Sequence, residues 1–558
     1  MKSRSFFNLL GTVVILLLLS GAGGLYWILS DSPIGLIGGG VTSRPLGSQF
    51  ISKNAPLMGS LLVNPQRLES LSQLIASPQN RRQTGQQLQD LEKTLLANTG
   101  LNYQKEIQPW LGEEITFAVN ALDFDRNPDN GATPGYLLVV QTKDSNRAKE
   151  FLGANYSKQA LSGKYDLVFE TYKGVNLIYQ RPVSPAPNSR LLASGIVGDY
   201  VIFANDMKVL REAINNLQVP DLNLENSPAY QSALATITEP RIGIFYGNIP
   251  GLSAWLGKAS LPENPRVSQS AAVGLTIKSE GLVAQTALLG VQGQENSPPI
   301  LSSPVSALSY ISDRSYLVAG SKDLNQFWTK IQQGLETNSP LQIALNEVLT
   351  RIQTPLGLDI PQEVFGWVTG EYGLALSPTS DPTIPDWVFI AEKVSPEADK
   401  GIAHLDELAQ KQGYTVAKLP LGNTTVTAWT KLSTTDKDGK ATLNTIVKGV
   451  HTSKDKYEIF ASSVEAIDSS LSSAASIVDS KKFQQAISAL PMDNDGYFYI
   501  DWREFKPVIE KRIPVVQVLE FAIKPLFNNL RSLTISSQGS ENSVRSGRIF
   551  FNLGVPQK

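Results

Sequence analysis

Three groups of side chains in this 558-residue sequence have the types and spacing that chemistry needs. The first is the run Asp123-Phe124-Asp125-Arg126-Asn127-Pro128-Asp129-Asn130-Gly131. Oxygen side chains at alternate positions can converge on one hard cation, as they do where calcium loops begin. Asp123, Asp125, Asn127 and Asp129 are therefore the candidate metal ligands, with calcium the expected ion. The run departs from an EF-hand, because Pro128 stands at the glycine position and Pro134 at that of the closing glutamate. A surface turn, which Asp and Asn-Gly favour, is the competing reading. The second group, Ser453-Lys454-Asp455-Lys456, has the S-x-x-K spacing of serine–lysine acylases, which need the serine at a helix start. Strand-like sequence on both sides (Thr442–His451 and Tyr457–Ala461) points instead to a polar hairpin turn. The third group is Glu106, Glu114, Glu363 and Glu371, two carboxylates in each half of the chain. Such pairs can do acid–base work, but beside Trp110, Trp367 and apolar strands they suit capping or ion pairing. The two tryptophans read as core anchors.

Composition excludes more than it assigns. There are no cysteines, which removes disulfides, thiolate nucleophiles and cysteine metal sites. The only histidines are His404, in a helix pattern, and His451, at a strand end; neither is given a role. No G-x-S-x-G and no phosphate loop occurs, and Gly38-Gly39-Gly40 lacks both a preceding strand and a following Lys-Thr. Lys and Arg number 49 against 51 Asp and Glu, without a basic stripe, so a nucleic-acid partner is not expected. No catalytic residue and no cofactor other than calcium is expected.

The elements that must position these residues are written twice. Gly100–Val119 (GLNYQKEIQPWLGEEITFAV) and Gly357–Leu376 (GLDIPQEVFGWVTGEYGLAL) lie 257 positions apart and share Gly, Leu, Glu106/Glu363, Trp110/Trp367, Glu114/Glu371 and Ala118/Ala375. At the same offset Tyr200, Ile202, Phe203 and Ala204 face Tyr457, Ile459, Phe460 and Ala461. At an offset of 253, Gly243, Phe245 and Tyr246 meet Gly496, Phe498 and Tyr499. Ordered matches of this kind mark an internal duplication. Short alternating strands joined by tight turns, with helices between them, predict an α+β fold in which each of two tandem repeats is a largely antiparallel sheet with packed helices. Helices are expected over 65–76, 79–98, 104–111, 145–155, 206–217 and 227–238.

Ahead of the repeats, Lys2 and Arg4 precede an uncharged stretch whose apolar part, Phe6 to Leu29, is 24 residues. A helix of that length reaches ~36 Å, enough for a bilayer core of ~30 Å. Charge before the span predicts a cytoplasmic N-terminus and an extracytoplasmic body. Ser20-Gly21-Ala22 also resembles a signal-peptide cleavage site, although apolar sequence resumes through Leu29. The expected organisation is a cytoplasmic tip and single transmembrane helix over 1–30, a Gly/Ser/Pro tether over 31–49, repeat one over 50–291, a linker over 292–304 and repeat two over 305–558.

Phe50–Leu71 (FISKNAPLMGSLLVNPQRLESL), with Asn54-Ala55-Pro56-Leu57, Trp110-Leu111-Gly112-Glu113, the anchor and the doubled body, resembles a cyanobacterial membrane-anchored family catalogued as domain of unknown function 3352. The resemblance implies a plasma- or thylakoid-membrane location, with the body in periplasm or lumen, and supplies no activity or site residues. Without a catalytic constellation, the expected function is a non-enzymatic interaction or assembly module with a protein partner, held to the membrane by residues 6–29. The alternatives are a binding protein for an apolar lipid or pigment and a hydrolase of unrecognised type.

Overall fold

The computed structural model describes residues 40–64, 102–127, 129, 131–161, 165–183, 192–257, 269–278, 281–290, 296–334, 346, 349–350, 353–354, 357–379, 384–437, 440–472, 475–512 and 530–553. These fall into two compact units, the first comprising the described residues up to Gly290 together with Leu553, and the second those from 296 to Asn552. The helices expected over 65–76 and 79–98 lie outside the described residues.

Unit 1 has ten strands: Leu57–Leu61 (β1), Leu111–Ala121 (β2), Gly135–Thr142 (β3), Tyr165–Tyr172 (β4), Val175–Pro182 (β5), Ala193–Val197 (β6), Tyr200–Ala204 (β7), Gly243–Asn248 (β8), Ser270–Lys278 (β9) and Gly281–Leu289 (β10). Their pairings, all antiparallel, give the order β4-β5-β6-β7-β3-β2-β1-β8-β9-β10. Lys173 and Gly174 carry the β4–β5 turn with φ of 49° and 81°, the left-handed pair that a two-residue hairpin requires. Residues of alternate parity on β2, Ile115, Phe117 and Val119, point to one face. There they meet Trp110, Leu138 and Val140, together with Leu152 and Tyr156 of the helix Ser145–Ala160, in a buried core. The helix Met207–Gln218 buries Val209, Leu210, Ala213 and Ile214, spaced for one apolar stripe, and Asp206 caps it by accepting from the Lys208 N–H.

Unit 2 also has ten: Leu317–Lys322 (β11), Glu371–Ser377 (β12), Asp386–Glu392 (β13), Thr415–Leu421 (β14), Thr424–Lys437 (β15), Lys440–Lys454 (β16), Tyr457–Ala461 (β17), Tyr497–Asp501 (β18), Ser532–Glu541 (β19) and Val544–Asn552 (β20). Their order, β14-β15-β16-β17-β13-β12-β11-β18-β19-β20, follows the same sequence of pairings. Trp367, Tyr372, Trp429 and Phe460 form a buried core with Ile402 and Leu405 of the helix Pro396–Lys411.

The expected fold class, α+β with an N-terminal transmembrane helix and a separate sheet in each of two repeats, is corrected in the extent of its sheet. The twenty strands count as one large antiparallel sheet. Alternation within a strand sets which face is buried but not where a sheet stops, since any unpaired edge can accept a further strand. No helix among the described residues is long and apolar enough to cross a membrane, and residues 6–29 lie outside the described residues. Part of the stretch expected as a tether is folded: Val41 bridges Arg241, and Leu46–Phe50 form a 3-10 turn with Gly47, Ser48 and Phe50 buried.

Candidate functional site

The acidic loop is a chain of local turns. Asp125 Oδ1 accepts from Asn127 N, Asn127 Oδ1 from Asp129 N, both at 3.1 Å, and Asp123 Oδ1 accepts from Thr133 N at 3.3 Å. These side-chain oxygens thus act as backbone acceptors, the habit that makes Asx residues turn formers. Among the described residues no group of three or more acidic or histidine side chains is arranged to hold a metal ion.

The four glutamates hold backbone. Glu106 and Glu363 close matching capping boxes: Glu106 Oε2 accepts from Asn102 N at 2.5 Å while Asn102 Oδ1 accepts from Lys105 N, and Glu363 Oε2 accepts from Asp359 N at 2.7 Å while Asp359 Oδ1 accepts from Gln362 N. Trp110 Nε1 donates to the Glu106 carbonyl at 2.7 Å, and Trp367 Nε1 to the Glu363 carbonyl at 3.0 Å. Glu114 grips the 3-10 turn, accepting from Gly47 N at 2.6 Å, Leu46 N at 2.9 Å and Thr116 Oγ1 at 2.8 Å. Burial raises its pKa, and the bonds from Gly47, Thr116 and Leu46 offset this only in part. Glu371 accepts from Ala307 N at 3.4 Å and from Tyr457 Oη at 2.7 Å. Burial, the bond to Glu371 and its charge push the Tyr457 hydroxyl up to about 12.

A buried polar cluster centred on His451 is one that the sequence did not announce. His451 on β16 is 5 % exposed and Glu458 on β17 is 3 % exposed. His451 Nδ1 lies 2.6 Å from Glu458 Oε1, and its Nε2 lies 3.1 Å from Oδ1 of Asp406 on the helix Pro396–Lys411. Trp429 Nε1 donates to the same Asp406 oxygen at 2.6 Å. On the outer side, Ser453 Oγ donates to Glu458 Oε2 at 2.5 Å and accepts from Lys393 Nζ at 2.9 Å. Lys393 also faces Asp399 at 3.6 Å and Glu458 Oε2 at 3.9 Å. The Phe460 ring stacks on the imidazole at 5.3 Å. Burial by itself lowers the His451 pKa, but the bond to Glu458 and the charges of Glu458 and Asp406 outweigh it, and the net direction is upward. The Ser453–Lys456 tetrapeptide ends in the β16–β17 hairpin turn, where Asp455 has φ of 52°, and Lys456 turns away to Glu392 at 2.8 Å. No local spacing could have found this cluster, because Asp406 is 45 residues from His451. His404, by contrast, is 45 % exposed and 3.9 Å from Glu363.

Two clefts are lined by polar groups. One in unit 1, of about 380 Å³, is bordered by Asn64, Gly112, Glu113, Gln141 and Lys143. One in unit 2, of about 120 Å³, is bordered by Arg314, Ser377, Asp386, Glu465, Ser469 and Ser470. Asn120 and Glu212 of unit 1, which stand 257 positions before Ser377 and Ser469, are longer and join each other at 3.2 Å.

Residues 10–553 match the profile of a family described as protein of unknown function (DUF3352), and the chain belongs to that family. No curated protein and no solved structure matches the chain.

Proposed function

Starting from that membership, we propose that this DUF3352 protein is a non-enzymatic interaction or assembly module. In this reading residues 6–29 hold it to a membrane and its body lies on the extracytoplasmic side, where it engages a protein partner. The observation that carries the reading is the β15–β16 ribbon. These strands have 14 and 15 residues, whereas β5 and β6 of unit 1 have 8 and 5. Of β15, β14 pairs only with Thr424–Thr430, and of β16, β17 pairs only with Val450–Lys454. Beyond those limits Lys431–Lys437 and Lys440–Ile446 are held to each other. A two-stranded ribbon is marginal in water, and its open N–H and C=O edges are a template for a further strand. Leu432 is 64 % exposed and Ile446 51 %. Since Lys431 opposes Ile446 and Leu432 opposes Thr445, these two exposed apolar side chains lie on opposite faces of the ribbon. The recurring glutamates support the reading too, because each serves as a backbone clamp or cap and leaves no matched acid–base pair.

The test is crosslinking and pull-down from membranes with the full chain and with a variant in which residues 432–445 are replaced by Asn-Gly, both checked for unchanged near-ultraviolet circular dichroism. Loss of a specific partner on shortening the ribbon is expected. Retention of every partner by the variant, or substrate turnover by purified protein that recovers no partner, would overturn the proposal.

A further inference from the structure

We propose that His451, gripped between Glu458 and Asp406, is a pH-sensitive latch that ties the helix Pro396–Lys411 to the root of the β15–β16 ribbon. Its action does not depend on what the ribbon binds.

The argument begins with proton count. A neutral imidazole has one N–H and one lone pair, whereas an imidazolium has two N–H groups. Both ring nitrogens of His451 face carboxylate oxygens, at 2.6 and 3.1 Å. Ionised carboxylates only accept, and Asp406 Oδ1 already accepts from Trp429 at 2.6 Å. The geometry is therefore that of imidazolium. Removing the proton turns one of the two contacts into a lone pair facing a carboxylate oxygen, within a buried site where repulsion is poorly screened.

The charges around the ring are few. β17 contributes Glu458, and the helix contributes Asp406 and, farther out, Asp399. Lys393, which follows β13, contributes a cation 3.9 Å from Glu458. β15 contributes the neutral Trp429 and, opposite His451, the neutral Thr427, and β17 also the apolar Phe460. Loss of the imidazolium charge leaves Lys393 as the nearest counter-ion for Glu458, and Asp406 with only neutral donors.

Position matters as much as charge. Trp429 lies where the β15–β16 register shifts, between Trp429 and Thr430, at the point where β14 ceases to pair. The cluster thus binds β15, β16, β17 and the helix together at the base of the ribbon. Unit 1 contains no histidine: Ser194 stands 257 positions before His451 and faces Tyr156 of the helix Ser145–Ala160. Burial raises the Tyr156 hydroxyl, so this pair is uncharged near neutral pH.

The sign follows from the upward direction of the His451 pKa. The contribution is complete below the unfolded value of about 6.5 and is lost as pH rises through the folded value. The latch is closed in acid and opens in alkali.

The test uses the full chain in detergent micelles. With only two histidines present, the His404→Gln background leaves a single imidazole resonance to titrate by NMR. Its midpoint should lie above 6.5. Hydrogen exchange, corrected for intrinsic rate, should show the helix 396–411 losing about tenfold or more of its protection as pH rises through that midpoint, while the helix Val464–Leu471 does not change. Asp406→Asn keeps an acceptor for Trp429 and supplies a donor to a neutral ring, so it should lower the midpoint and remove the pH dependence of helix protection. His451→Gln should remove that dependence as well. A wild-type midpoint at or below 6.5, helix protection that ignores pH, or the same pH dependence in Asp406→Asn would overturn the latch.

Discussion

At the scale of residues, the Glu114 clamp depends on a side chain that is missing. A Cβ on Gly47 would lie 2.8 Å from Glu114 Oε1 and 2.7 Å from Thr116 Oγ1, too close for either. The corresponding residue in unit 2 is Ala307, and its N–H reaches Glu371 at 3.4 Å, against 2.6 Å from Gly47 to Glu114. Gly47→Ala should therefore loosen at least one charge-assisted bond, a loss of about 1.5–3 kcal/mol, seen as a lower unfolding midpoint in urea at unchanged slope. An unchanged midpoint would show that the turn shifts without cost. The clamp has a pH signature of its own. Because burial raises the Glu114 pKa, its contribution is present below the unfolded value of 4.5 and is lost as pH rises through the folded value. The difference in Tm between wild type and Glu114→Gln should therefore move against wild type as pH climbs above 4.5, and a pH-independent difference would contradict this. The sequence marked Glu114 and Glu371 as recurring residues, but their backbone partners are 67 and 64 positions away, beyond the reach of spacing arguments.

At the scale of elements, what was legible was whatever is settled locally. The capping boxes at Asn102–Glu106 and Asp359–Glu363, the Lys173-Gly174 turn and the stripe of Met207–Gln218 all rest on neighbours within a few positions. Residues 46–49 read as tether because Gly, Pro and Ser predominate, and the acceptors that order the turn Leu46–Phe50 come from Glu114 on β2. The helix Ile249–Gly257 is hidden because it follows β8 without a break: Asn248, the last strand residue, is also its cap, accepting from Gly251 N at 3.1 Å. Packing between elements makes a sharper prediction. The helix Pro396–Lys411 contains Gly401, where a Cβ would stand 2.3 Å from Cδ1 of Trp367. In unit 1 the tryptophan meets a large residue instead: Trp110 and Phe151 have ring centroids 5.2 Å apart. Alanine is favoured over glycine in a helix by about 1 kcal/mol, but here it must displace a buried indole, an overpacking cost of about 1–3 kcal/mol. Gly401→Ala should be neutral to destabilising, whereas Gly153→Ala, in a helix position with open space around the added Cβ, should stabilise. Parallel thermal unfolding of the two variants checks the pair, and stabilisation of both would mean that Trp367 moves freely.

At the scale of the whole molecule, the doubled motif could be read because each copy repeats short-range constraints, from the Trp110 and Trp367 anchors to the Tyr200 and Tyr457 strands. The extent of the sheet could not, because it depends on which strand edges find partners, and residue alternation is blind to that. The proposed membrane attachment rests on a different kind of signal, a solvent preference carried by composition. Residues Phe6 to Leu29 contain no charge, and Lys2 and Arg4 stand just before them. Burying such a run in lipid is favourable, whereas moving the two cations across is costly, so the charged tip should remain cytoplasmic. The chain has 49 basic and 51 acidic residues, a net charge too small to hold it on an anionic surface by electrostatics alone. Attachment should therefore survive both high salt and alkaline carbonate, and removal of residues 1–30 should release the body to the soluble fraction. A reporter that is active only outside the cytoplasm, fused after Lys558, should be active on the full chain. Release of the full chain by salt would mean peripheral binding. Continued membrane association after deletion would place the contact elsewhere in the molecule, and activity of a cytoplasmic reporter alone would reverse the orientation.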